Sequence, residues 1–340
     1  MQYQAYEGKA GALSNFSLTK KRLPPPASHE VQVAVRAVGL NFADVFAIWG
    51  LYGATPEDAF VPGLEYAGEV LAVGADVTTC QPGDRVMGVT RFGGYTTAIN
   101  SDYRYVIPLP QKWTYEQGAS YLVQVLTAYY ALVYLGNIQE GATVLIHSGG
   151  GGVGLLARQI AARYDAYTIG TVGRPEKVDF LRKQGYKEVI VRNPRQFGEQ
   201  LEDALDGRPL NLVMECIGGK VFKAAYDRLA PQGRMVVYGS ARYASVGNRP
   251  NYLRLFWQFL TRPRIDPQKI IEENKALLGF NLIWLYHQAD LMHDLLGEID
   301  ELNLDPPHVG HTIPFTELHQ AIRLFQSGKT VGKVVLTVDG

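Results

Sequence analysis

The chain has 340 residues, 46% of them hydrophobic and 19% charged, enough for two domains with a sizeable core. Lys plus Arg and Asp plus Glu both total 33, so the net charge is zero, which argues against a nucleic-acid or general polyanion binder and leaves room only for local basic patches. Two cysteines, Cys80 and Cys216, give neither a disulfide framework nor metal-finger spacing. The N-terminal "MQYQAYEGKAG" lacks a signal pattern, and the longest apolar stretch, "LLGFNLIWLY", falls short of the ~20 residues of a membrane span, so a cytoplasmic protein is expected.

The first hundred residues read as β. "EVQVAVRAVGL" (30–40), "AGEVLAVG" (67–74) and "DRVMGV" (84–89) alternate apolar and polar residues with period two, and Gly/Pro/Asp turns punctuate them. A compact, barrel-like β module is predicted. Helical spacing begins near residue 115 in "YEQGASYLVQVLTAYYALVYLG", after which strands and helices alternate. Strands are predicted at 143–148, 166–173, 188–192, 211–218, 234–240 and 277–284, with helices at 153–164 and 175–185. Such alternation builds βαβ units and a parallel sheet. The last segment, 315–338, reads as a helix and a strand that fold back onto the first module.

"VLIHSGGGGVGLLARQIAA" leaves a strand and opens a helix. Gly149, Gly151 and Gly154 fit G-x-G-x-x-G in the context that gives the pattern meaning. The glycines allow a tight turn, close approach to a pyrophosphate and close helix–strand packing, and the free N–H groups of the helix starting near Gly152 form an anion site. NAD sites place a carboxylate about 20 residues on, to hold the ribose 2′-hydroxyl. Here the second strand ends in Gly173–Arg174–Pro175–Glu176–Lys177 with no acid at its tip, and Arg174 and Lys177, with Arg192 after the next strand, suit a 2′-phosphate instead. NADPH is therefore the expected cofactor.

"FVPGLEYAGEVLAVGADVTTCQPGDRVMG" (60–88), "HSGGGGVGLLARQIA" (147–161), "LAPQGRMVVYG" (229–239) and "SGKTVGKVVLTV" (327–338) together resemble the medium-chain dehydrogenase/reductase superfamily, essentially end to end. The resemblance implies an α/β chain with a GroES-like β-barrel-type catalytic domain (1–121 and 287–340) and a Rossmann doubly wound parallel sheet (122–286), the active site lying between them. Where zinc members of that family place a cysteine and a histidine, this chain has Asn41 and Leu64, and the four-cysteine lobe is missing. Glu65 alone cannot hold a catalytic zinc. The pattern resembles the zinc-free quinone oxidoreductase branch, and "GLNFADVFAIWGLYG" (39–53) and "DPQKIIEENKALLGFNLIWL" (266–285) look most like its vesicle amine transport protein group. The implied reaction is hydride transfer from NADPH to an apolar electrophilic small molecule, a quinone or an α,β-unsaturated carbonyl. Relatives of this branch are often homodimers.

The family pattern also implies cofactor contacts at Thr127, Gly151, Gly152, Val153, Gly173, Lys177, Arg192 and Gly239, with Phe280 and Lys333 near the nicotinamide end. Asn41 either polarises the acceptor through its amide or shapes the loop, and it is also expected beside the cofactor. Tyr52 is either a proton donor or a packing residue. Asp44 reads as a helix cap, His147 as a strand-end packing residue and Cys216 as a small filler. Residues 241–275 are longer and more aromatic than a minimal link. They carry Arg242, Arg249, Arg254, Arg262, Arg264 and Lys269 among bulky apolar residues, and suit a lid, a dimer or domain contact, or a peripheral membrane contact.

Overall fold

A computed structural model describes residues 1–339. A parallel six-stranded sheet runs in the order Glu188–Val191, Tyr167–Val172, Thr143–Ile146, Leu210–Glu215, Leu229–Val237, Ala276–Gly279. Numbered along the chain this is 3-2-1-4-5-6, the doubly wound order, in which ligands sit outside the carboxyl ends where the order reverses, between the first and fourth strands. Helices cover both faces of the sheet, so Thr143–Ile146 is buried at every position and carries no polar alternation.

The second sheet has seven strands, six in the order Val309–Pro314, Lys333–Thr337, Glu30–Gly39, Glu65–Val73, Arg85–Val89, Val106–Pro108, with Ala98–Asp102 also paired to Glu30–Gly39. The C-terminal strand joins it by Val335↔Gly39 and Leu336↔Val38, so the chain end returns to the first module as expected. A hairpin, Gln2–Glu7 with Ser17–Arg22, stands beside it.

One helix connects the two parts. An apolar cluster runs from Ala67 and Met87 of the seven-stranded sheet through Leu122, Val125 and Leu126 to Val144 and Ile146 of the parallel sheet. The helix Leu122–Tyr129 thus faces both sheets. Ala289–Glu301 packs on this same helix, and the chain rejoins the seven-stranded sheet only at Val309. Two predicted elements come out shorter. The helical run from 115 is split into Tyr115–Gly118, Leu122–Tyr129 and a wide turn over Tyr130–Tyr134. The strand expected over 277–284 stops at Gly279, and Asn281 caps a 3₁₀ turn over Leu282–Leu285. Among the described residues, no helix is long and apolar enough to cross a membrane.

Candidate active site

The crevice at the switch point opens into a cleft of ≈ 1190 Å³ between the two sheets. Ser148 leaves the Thr143 strand with φ 53°, and Gly151, extended, caps the helix Gly152–Ala162. A Cβ at Gly154 would stand 2.7 Å from both Gly149 Cα and the Ser148 carbonyl, so only glycine lets this helix approach the loop. Gly151, Gly152, Val153, Gly154, Thr127, Gly173, Arg174, Lys177, Arg192, Gly239, Phe280, Asn41, Tyr52 and Lys333 all line the cleft. Gly149 does not. A Cβ there would meet Leu181 at 2.9 Å and the Tyr186 hydroxyl at 3.0 Å, so its small size serves packing behind the loop rather than contact with a ligand.

The charged side chains lining the cleft are Arg174, Lys177, Arg192 and Lys333, with no carboxylate among them. Lys177 Nζ donates to the Thr330 carbonyl at 2.5 Å and Arg174 to the Ser327 carbonyl at 3.4 Å. Burial, then the nearby Arg192 and Arg174, lowers the Lys177 ammonium from its ordinary value. Three cations lining one cleft whose wall carries no carboxylate make an anion site.

Arg192 is held from behind by groups that sequence reading missed. Its NH1 donates to Thr171 Oγ1 at 2.8 Å, Thr171 Oγ1 stands 2.9 Å from His147 Nδ1, and His147 Nε2 stands 3.1 Å from Glu215 Oε2. Thr171 Oγ1 thus accepts from Arg192 and shares a hydrogen bond with His147 Nδ1, while His147 Nε2 faces the Glu215 carboxylate. His147 is fully buried and is more than a packing residue. Glu215 Oε1 accepts the backbone N–H groups of Ile217 and Gly218, both at 2.5 Å, and so pins a turn in which Gly218 takes φ 84°. Burial pushes the Glu215 carboxyl up, but His147 and these two N–H groups outweigh it and hold it below its ordinary value. The one sequence signal for this relay was an acid at the tip of the fourth strand.

At the other end of the cleft, four side chains from distant segments converge. Lys333 Nζ donates to Glu65 Oε1 at 2.5 Å and to Asn41 Oδ1 at 2.8 Å, and Gln124 Nε2 reaches the same two oxygens at 3.0 and 2.7 Å. Lys333 fixes the orientation of the Asn41 amide, whose Nδ2 then donates to Glu65 Oε1 at 3.0 Å and the Gly39 carbonyl at 3.3 Å. Both amide hydrogens are taken, so none is left to polarise an acceptor. Asn41 also caps the helix Phe42–Ile48, its backbone N–H donating to Asp44 Oδ2 at 2.7 Å. Tyr95 donates to that oxygen too, and burial pushes the Asp44 carboxyl up to about 7. Burial lowers the Lys333 ammonium while Glu65 pushes it back up.

A zinc ion does not fit this arrangement. The groups at the position are an amide pair, one carboxylate and an ammonium already seated on that carboxylate, whereas zinc requires several thiolate, imidazole or carboxylate donors. Among the described residues no three His, Cys, Asp or Glu cluster as a metal site would. Tyr52 donates to Asn281 Oδ1 at 2.7 Å, and burial pushes its phenol up to about 12. It bridges the cleft and holds its proton tightly. Cys216 lies at the cleft wall, 3.6 Å from Ser148 Oγ, its thiol pushed up by burial.

The segment 241–275 contains the helices Tyr252–Leu260 and Pro267–Glu273, neither of which buries a residue. Leu255 and Phe259 line the cleft mouth, while Leu253 is 85% and Trp257 67% exposed.

Residues 152–282 match the family described as zinc-binding dehydrogenase, and residues 27–111 match the alcohol dehydrogenase GroES-like domain. The Homo sapiens synaptic vesicle membrane protein VAT-1 homolog is 30% identical over 316 residues, covering 92% of this chain and 80% of that protein. Escherichia coli quinone oxidoreductase complexed with NADPH superposes with a TM-score of 0.84 at 25% identity, over 99% of this chain and 100% of that one. CurK enoyl reductase superposes with a TM-score of 0.83 at 28% identity, over 99% of both chains. The chain belongs to the medium-chain dehydrogenase/reductase superfamily, in the group of VAT-1 homologues and quinone oxidoreductases.

Proposed function

We propose that this protein is a zinc-independent, NADPH-dependent reductase of quinones or α,β-unsaturated carbonyl compounds. The observation that carries the cofactor choice is the convergence of Arg174, Lys177 and Arg192 in a cleft lined by no carboxylate. A 2′-phosphate would replace the carbonyl partners of Arg174 and Lys177 with charge-assisted bonds, and the cradle at Gly151–Gly154 would take the pyrophosphate. NADPH supplies a hydride when bound. The chain's own contribution is positioning and exclusion of water: Gly239, Phe280, Thr127 and Asn41 line the cleft, and Tyr52 hydrogen-bonds Asn281 within it. With the Asn41 hydrogens engaged and the Tyr52 phenol pushed up to about 12, the chain presents no strong acid to the acceptor. Quinones and enones suit that limit, because they are already electrophilic and solvent can protonate the reduced product.

Initial rates with NADPH and NADH against a panel of quinones and enals test this reading. Turnover with a strong NADPH preference is expected, and Arg192→Ala should cut that preference about 10–100-fold, the value of a hydrogen bond to a charged group. Tight NADPH binding with no turnover of any acceptor overturns it. A second reading, a non-catalytic dinucleotide-binding protein that docks on anionic membranes, is favoured by the Tyr252–Leu260 helix. Its apolar side chains face solvent, and residues 241–265 hold five arginines and no acid. Co-sedimentation with phosphatidylserine vesicles, lost in Arg254→Ala/Trp257→Ala, supports that reading, and no vesicle binding removes it.

A further inference from the structure

The cation end of the cleft is bordered by a segment that belongs to the other unit. Residues 327–332 join the helix Leu318–Gln326 to the strand Lys333–Thr337, and that helix packs on the seven-stranded sheet to which the strand belongs. The long-range polar contacts of the segment, however, reach the parallel-sheet unit. Gly332 donates its N–H to the Gly150 carbonyl at 2.7 Å, the Thr330 carbonyl accepts from Lys177 Nζ at 2.5 Å, and the Ser327 carbonyl accepts from Arg174 at 3.4 Å. Gly328, Thr330 and Gly332 line the same cleft as the two cations.

The two ends of this segment are held differently. Over 331–333 there is no slack. A Cβ on Gly310 would stand 1.7 Å from the Val331 carbonyl, and one on Gly332 would stand 2.4 Å from the His308 carbonyl. The Lys333 N–H donates to that same His308 carbonyl at 3.0 Å. The Gly328 end is open: a Cβ there would meet nothing within 4 Å, and its φ of 66° is the left-handed turn that ends the preceding helix. Beyond turn bonds such as Lys329 N–H to Ser327 Oγ, this end is fastened by Lys177 and, at longer range, Arg174. Among the described residues, the two strap carbonyls are also the only hydrogen-bond partners of these cationic side chains.

A neutral carbonyl is a weaker partner for an ammonium or guanidinium than a phosphate is. We infer that residues 327–331 form a strap that stands in for the 2′-phosphate while no nucleotide is bound, and that arrival of the phosphate unfastens it. The inference rests on the 2′-phosphate reading of the three cations. It adds a conformational step to the choice of cofactor. A nucleotide with a free 2′-hydroxyl has no charge with which to displace the carbonyls, so the strap stays fastened. A 2′-phosphate takes Lys177, and the Gly328 end swings free while 331–333 stays in place.

Lys329, exposed in the middle of the strap, makes this readable, because trypsin cuts after it only when the segment opens locally. Initial rates of cleavage at Lys329, followed by mass spectrometry, are compared for the free protein, for saturating adenosine 2′,5′-bisphosphate and for saturating 5′-AMP, with both affinities measured by calorimetry. The bisphosphate should speed this cleavage about tenfold or more, the factor given by loss of one hydrogen bond to a charged group, even as bound ligand slows cleavage elsewhere. With 5′-AMP the rate should stay within about twofold of the free protein, less than one such bond would give. Lys177→Met, or Lys177→Gln if the first variant folds poorly, should be cut fast without ligand and gain nothing from the bisphosphate. Arg192→Ala, whose lost side chain bonds Thr171 and not the strap, should be cut like wild type without ligand. Tighter binding of the bisphosphate with no change at Lys329, or a Lys177 variant cut no faster than wild type, would overturn the strap and leave the NADPH reading standing. Equal affinities for the two nucleotides would overturn the NADPH reading and the opening of the strap with it.

Discussion

Two buried charge clusters flank the cleft, and they balance their charges in different ways. In the seven-stranded sheet, Lys333 faces Glu65 with Asp44 close by, so two carboxylates share one ammonium with the help of Asn41, Gln124 and Tyr95. In the parallel sheet, Glu215 faces His147 and also receives two backbone N–H groups, so its charge is spread over partners that no single substitution removes. The first cluster depends on one side chain brought from the far end of the chain. The second is assembled from neighbouring strand tips and the turn that Glu215 itself fixes. A charge held by backbone tolerates loss of a side chain better than a charge held by one ammonium.

Substitution of Lys333 in one cluster and of His147 in the other should expose that difference most strongly. Lys333→Met leaves buried carboxylates uncompensated and is expected to cost about 3–5 kcal/mol in urea unfolding. His147→Gln, which leaves Glu215 its two N–H donors, should cost nearer 1–2 kcal/mol, the penalty of one imperfectly satisfied buried group. Equal losses would break the comparison. Adding Glu65→Gln to Lys333→Met should recover part of the stability, since the orphaned charge is then gone.

The clusters should also respond to pH with opposite sign. Asp44 is raised in the fold from 3.8 to about 7, so between these values the folded state holds more protons than the unfolded one. Its contribution is complete below about 4 and is lost as pH climbs through 7, worth up to about 4 kcal/mol at 1.36 kcal/mol per unit. Glu215 is lowered below its ordinary 4.5, so its contribution is present above that value and disappears as pH falls through the folded value. In paired unfolding measurements, Asp44→Asn should gain relative to wild type between pH 5 and 8, whereas Glu215→Gln should differ in pH dependence from wild type only in acid. A flat difference for Asp44→Asn across that range would show that its carboxyl is not raised.

The same contrast governs what could be read from the sequence. The parallel sheet announced itself, because its strands and helices alternate locally and its glycine loop joins one strand to the next helix. The three cations followed from the residues at two strand tips. Of the cluster at Lys333, the sequence offered Asn41, Glu65 and Lys333 separately but not their meeting, because its members come from positions 41, 65, 124 and 333 and only the folded chain brings them together. Gln124 carried no signal beyond lying three residues before Thr127 on one helix. Asn41 lines the cleft, but which of its atoms remain free depends on Lys333, which no spacing rule reveals. His147 looked like packing because its partners, Thr171 and Glu215, sit on separate strands. The end of the strand at Gly279 was hidden by an apolar run that continues past it into a 3₁₀ turn.

The smallest expected effect is the most discriminating, because it asks whether the parallel-sheet cluster has a task beyond stability. Thr171 is the single link between the His147–Glu215 pair and Arg192, and its hydroxyl contacts both. Thr171→Val keeps the shape and removes both bonds, so Arg192 loses its internal partner and must be ordered by the ligand alone. Because Arg192 itself stays to meet the phosphate, the loss is only that of its positioning, about 1 kcal/mol as for an ordinary hydrogen bond, and predicts a roughly fivefold rise in KM for NADPH with little change for NADH, which has no 2′-phosphate for Arg192 to meet. Thr171→Ser, which keeps the hydroxyl, should restore the NADPH value. If Thr171→Val raised KM for both nucleotides alike, the relay would serve only to hold the sheet edge. If Arg192→Ala shifted the nucleotide preference and Thr171→Val did not, Arg192 would be a phosphate ligand that needs no support from behind.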